Sequence, residues 1–141
     1  MDDPFNLSRF VEAQDRGDCY QRVAQELGRG RKVTHWMWFV FPQVAGLGLS
    51  AMAREYAIAS LDEARAYLDH PRLGPHLREC TGIVANTEGR TAEQIFGEID
   101  ARKLRSSMTL FLRAAPTEEG FHQVLDRYYE GAPDPATDRL L

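Results

Sequence analysis

Cysteine is scarce in this chain: Cys19 and Cys80 are its two thiols, and neither lies in a CxxC pair or beside a histidine. That excludes a disulfide framework and a cysteine-based zinc site, and both thiols are expected buried and reduced. Long apolar runs are absent too, since nothing approaches the roughly 20 residues that span a bilayer. The start, Met1-Asp2-Asp3-Pro4, is acidic and has no apolar stretch behind it, unlike a signal peptide. The expected location is the cytoplasm. Positive charge is not in excess: 17 Lys and Arg against 21 Asp and Glu give a net charge of −4. Broad, phosphate-driven nucleic-acid binding is thereby excluded. Without HExxH or a close His/carboxylate cluster, neither a metal nor a cofactor is expected. The chain also lacks a G-x-S-x-G elbow, internal repeats and low-complexity tracts. Period-two alternation and Asn-Gly hairpin signals are missing as well, which leaves little room for a sheet.

Helical periodicity fills that gap. Asn6 is positioned to cap a first helix carrying Leu7, Phe10 and Val11, and Gly17 breaks it. Asp18 can cap a second, striped by Tyr20, Val23, Ala24 and Leu27 and closed by Gly28. Ser50 stands at an N-cap position ahead of a helix expected over Met52 to Ile58. Ser60-Leu61-Asp62-Glu63 and Thr91-Ala92-Glu93-Gln94 read as capping boxes. The first of these helices should end near His70-Pro71, where His70 suits a helix C-terminus as a cation or donor. Further helices are expected over Leu73 to Val84, along Leu104, Met108 and Phe111, and from a Thr117 cap through Tyr128 to Gly131. With 43% hydrophobic residues in 141, the chain can bury roughly two-thirds of its unfolded surface. The expected fold is all-α: a compact single-domain orthogonal helical array, residues 1–141, packed around a central aromatic segment.

That segment is His35-Trp36-Met37-Trp38-Phe39-Val40-Phe41-Pro42-Gln43, which gathers both tryptophans into nine residues. So dense a run must be buried, yet His35 and Gln43 at its ends need polar partners. It therefore marks the centre of the fold and a possible wall of a site. Gly46-x-Gly48-x-x-Ala51 follows, matching the bare dinucleotide fingerprint, but Pro42 and the lack of alternating strands defeat that reading. Glycines ahead of a helix do let amides approach an anion. Arg54 and the basic Arg29-Gly30-Arg31-Lys32 loop can add charge there; tight turning and solvated arginines are the structural account. Ser106 and Ser107 fall mid-helix, where serines bond back or pack. Asp100, Lys103 and Ser107 share one helical face. His76 and His122 read as surface residues.

The aromatic segment with Gly46-Leu47-Gly48 resembles a small bacterial family catalogued as domain of unknown function number 1810. Tyr67-Leu68-Asp69-His70-Pro71 with Leu73-Gly74, Ile95-Phe96-Gly97, and Leu104-Arg105-Ser106-Ser107-Met108-Thr109-Leu110-Phe111 carry the same likeness. It runs from about Phe5 to the C-terminus. The resemblance implies a single, mainly helical domain and no established activity. Some members bear the label calpastatin, but inhibition of that kind relies on long disordered segments, and this chain is patterned for a core.

Three readings of function stand at this point. One is a binding module for a small anionic ligand, lined by His35, Trp38 and Gln43, with Gly46, Gly48, Ser50 and Arg54 at the rim and Ser107 within reach. Another is a hydrolase or transferase on a nucleotide-like substrate, with His35 as acid/base and Ser107 or Asp100 beside it. The third is a structural or protein-interaction domain whose partners the sequence does not name.

Overall fold

The computed structural model describes residues 3–141; Met1 and Asp2, part of the acidic start, lie outside the described residues. Within them the chain forms ten helices: α1 Ser8–Asp15, α2 Cys19–Gly28, α3 Met37–Val40, α4 Ala51–Glu55, α5 Leu61–Asp69, α6 Leu73–Asn86, α7 Ala92–Phe96, α8 Glu98–Ala114, α9 Glu119–Tyr129 and α10 Pro135–Arg139. The expected all-α class is observed. Extended pairing among the described residues is a single parallel bridge, Val44 with Ile58. Helix α8 is the axis, packed by α5, α7, α9 and α10, while α6 joins α2, α5 and α9. Its Leu104, Met108, Leu110 and Phe111 are fully buried. No described helix is long and apolar enough to cross a membrane.

Most of the capping chemistry follows the sequence. Thr91 and Gln94 form the reciprocal box, and Ser50 accepts from the Ala53 amide at 3.1 Å. Ser60 accepts from the Glu63 amide, but Glu63 reaches one residue further back, to Ala59 at 3.0 Å, and pairs with Arg9 at 2.9 Å. At the first helix the cap is Asp3 and not Asn6: its carboxylate takes the Leu7 and Ser8 amides at 2.7 and 3.0 Å. A carboxylate there also suits the positive end of the helix. The long penultimate helix starts after Glu118, and Thr117 caps nothing. The helix after Ser50 stops at Glu55, because Ile58 is drawn into the bridge with Val44. His70 works in the opposite sense from a C-terminal donor. Its Nδ1 accepts from the Arg72 and Leu73 amides at 3.1 and 3.2 Å and so caps the start of α6.

The turn between α5 and α6 is tight enough to exclude a methyl group. A Cβ on Gly74 would collide with the Leu68 carbonyl, an oxygen that also accepts from Arg78 Nη1 at 3.2 Å. Gly74→Ala is expected to cost about 1–3 kcal/mol through overpacking. Gly82, in the same helix, has open space around it. Gly82→Ala should instead gain up to about 1 kcal/mol of helix propensity. Urea denaturation of the two variants checks the pair, and equal effects would contradict the packing account.

Candidate functional site

The aromatic segment is not a strand; Met37 to Val40 make one helical turn with irregular chain on both sides. Such a stretch has few backbone bonds of its own, so side chains from α1 and α2 hold it. Glu26, buried on the apolar stripe of α2, is the first clasp. Its Oε1 accepts from the Val33 amide at 2.7 Å, the Thr34 amide at 2.9 Å and the Trp36 indole at 3.0 Å, and its Oε2 from the Thr34 hydroxyl at 2.6 Å. Burial alone would raise this carboxyl. The Thr34, Val33 and Trp36 donors outweigh it and hold the group down at about 2. Gln14 of α1 is the second clasp: Nε2 donates to the Phe39 carbonyl at 2.8 Å, and Oε1 accepts from His76 Nδ1 at 2.7 Å. His76 is thus half-buried and stacked on Tyr20, 3.6 Å between ring centroids, and is not a surface residue. Burial, then the charge of Arg72, lower its pKa.

Held this way, the segment divides. Trp36, Met37, Phe39, Val40 and Phe41 are buried, and Trp36 and Phe41 each meet Phe96 edge-on. Trp38 is half-buried. Against this aromatic wall stand two lysines and one carboxylate. Lys32 Nζ lies 2.9 Å from Asp100 Oδ2, donates to the Thr34 carbonyl at 2.7 Å and sits 5.1 Å from the Trp36 ring centroid. Lys103 Nζ lies 3.5 Å from the other Asp100 oxygen and 5.2 Å from the Trp38 ring centroid. Lys32 is almost sequestered, its side chain 7% exposed, whereas Asp100 and Lys103 remain open at 19% and 24%. Two cations share one anion, so the cluster carries one positive charge beyond neutrality beside a π face. Such a face favours a cation and tolerates flat groups.

The residues expected to line a site are placed as follows. Trp38 belongs to this cluster. His35 is exposed and Gln43 half-buried, with the Gln43 carbonyl accepting from the Ile58 amide at 2.9 Å. Ser107 lies one turn beyond Lys103 on α8 and is fully buried, and its hydroxyl has no hydrogen-bond partner. Gly46 adopts φ +103° and lies against Leu140, and a Cβ on Gly48 would collide with Ala53. Packing thus accounts for both glycines. Ser50 is committed to its cap, and α4 has only five residues, too short for a strong dipole. Arg54 is exposed on α4 and makes no ion pair among the described residues. No sequence motif marks Glu26 or Gln14, yet each is a polar residue at a stripe position: Glu26 between Val23 and Leu27, Gln14 four after Phe10. That misplacement was the available signal. Cys19 and Cys80 are free and buried, as expected, and burial pushes the Cys80 thiol up to about 12.

Residues 4–141 match the model of a family described as a protein of unknown function, DUF1810. Among solved structures, the chain is similar to the conserved hypothetical protein Rv1873 from Mycobacterium tuberculosis. The two are 54% identical over 99% of this chain and 98% of that one, with a TM-score of 0.95. No curated protein matches the chain.

Proposed function

The chain belongs to the DUF1810 family, whose description names no activity, and from the geometry around Trp38 we propose that it binds a small anionic ligand. The observation carrying this reading is the half-buried Trp38 beside Lys103, which shares Asp100 with the nearly buried Lys32. Lys32 and Asp100 fix the geometry, and Lys103 supplies the open cation. Trp38 offers a flat apolar surface for the body of the ligand. His35 and Gln43 flank the same segment and contribute hydrogen bonds at its edges. Of the Gly46, Gly48, Ser50 and Arg54 stretch, whose glycines and serine are committed to packing and capping, Arg54 alone offers charge at the outer rim, secondary to that of the lysines. Ser107 supports α8 from within, since a hydroxyl this deeply buried meets no ligand directly. We place this activity in the cytoplasm, where free thiols persist.

Thermal shift with inorganic phosphate, adenosine monophosphate and benzoate as probes tests the proposal, because a ligand that prefers the native state raises Tm. Trp38→Ala and Lys103→Met are expected to abolish the shift while each costs under about 2 kcal/mol of stability. If no probe raises Tm, or if Lys103→Met responds as the native protein does, the reading fails.

A further inference from the structure

A cleft of about 600 Å³ opens where α7, the early turns of α8, the end of α9 and the cap of α10 converge. Its size falls within the range of small-molecule sites. Its walls are fixed from behind. Arg105 Nε and Nη2 donate to the Ala132 and Pro133 carbonyls, both at 2.9 Å. Asp134 Oδ2 accepts from the Ser106 hydroxyl at 3.0 Å and from the Thr137 amide and hydroxyl at 3.2 and 2.6 Å. The Tyr129 hydroxyl donates to the Ala101 carbonyl.

These bonds leave a definite remainder. Arg105 Nη1 and Asp134 Oδ1 have no hydrogen-bond partner among the described residues, and Glu93 has neither a side-chain hydrogen bond nor an ion pair there. At the rim, Glu98 and Arg102 simply pair at 3.1 Å, as neighbouring opposite charges on a surface do. Arg105 cannot close on Glu93 or Asp134 in that way, because two backbone carbonyls hold its guanidinium in place. A positive and a negative edge therefore face one cleft without neutralising each other. Both edges are felt locally: burial first, and then the charge of Glu93, push the Tyr129 phenol upward, while the charge of Arg105 pulls it down.

We infer that this cleft binds a small zwitterion of the free amino acid class, its carboxylate meeting Arg105 and its ammonium meeting Glu93 and Asp134. The ligand supplies both missing charges at once, so each end gains a charge-assisted hydrogen bond. A simple anion meets two unpaired carboxylates here, Glu93 and Asp134, and a simple amine leaves Arg105 unanswered. The site is separate from the Trp38 cluster: Asp100, Lys103 and Ser107 lie on one face of α8, and Ala101, Arg105 and Ser106 on another.

The test is thermal shift and calorimetric titration of the full chain with the common L-amino acids, each at about 10 mM. At least one is expected to raise Tm, while its decarboxylated amine and its deaminated acid do not. Glu93→Gln, which breaks no internal bond, should weaken binding by about tenfold or more with an unchanged circular-dichroism spectrum. Trp38→Ala should leave amino-acid binding intact, which separates this site from the one proposed above. The inference is overturned if no amino acid shifts Tm, if amine or acid alone does as well, or if Glu93→Gln binds as the native protein does.

Discussion

Trp36→Ala is expected to destabilise the protein by about 3–5 kcal/mol, the range for deleting a fully buried large aromatic side chain. Trp36 is 1% exposed and meets Phe41 and Phe96 at ring-centroid distances of 6.3 and 6.5 Å. Its removal opens a cavity whose walls cannot all collapse, because Glu26 and Lys32 hold the neighbouring chain in place. It also deprives Glu26 of one donor. Urea denaturation followed by far-UV circular dichroism measures the loss, and a cost below about 1 kcal/mol would refute a core role. The contrast with Trp38→Ala is the informative part. Two tryptophans separated by one residue should differ severalfold in their effect on stability, and only the second should affect ligand response.

Glu26→Ala should be nearly as damaging. It strands the buried Trp36 indole and the part-buried Val33 and Thr34 amides without their acceptor, where a fully buried donor left unmade costs about 1–3 kcal/mol and a part-buried one less. A total of about 3–5 kcal/mol is expected, with Glu26→Gln intermediate because one oxygen remains to accept. The pH dependence has a defined sign. The folded pKa of Glu26, about 2, lies below its ordinary value of 4.5, so the unfolded chain binds the proton more readily. The stabilisation is complete above about 4.5 and is lost as pH falls toward 2. After discounting for solvent screening it is on the order of 2 kcal/mol. Stability curves of the native protein and Glu26→Gln should converge across that window. Parallel curves would assign the acid sensitivity to other groups.

The helical class and most helix positions were legible because periodicity and capping residues are local signals. Ser50, Ser60 and Thr91 act where their spacing places them. Errors arose where a distant partner overrode local preference. Asn6 lost its cap to Asp3, which takes the Leu7 and Ser8 amides from further back, and Ile58 left its helix to bridge Val44. The aromatic segment was identified as central, but its partners were not, since neither Glu26 nor Gln14 adjoins it in sequence. The grouping of Asp100, Lys103 and Ser107 on one face was visible from spacing alone. That Lys32 would meet Asp100 across 68 residues was not, because the basic loop carries three cationic side chains, Arg29, Arg31 and Lys32, equally able to reach. The Arg105 cleft left no sequence signal: its lining comes from four elements, each ordinary in isolation.

The cluster around Asp100 draws its aromatic half from residues before 40 and its acidic half from α8. On a ribosome, Gln14, Glu26 and the tryptophans emerge together and can find one another early, their separations along the chain being short. The face meant for α8 then waits, bare and aromatic, while some sixty further residues are made. Nascent chains stalled before residue 98 should be sticky and prone to capture by chaperones, and lengthening past α8 should release them.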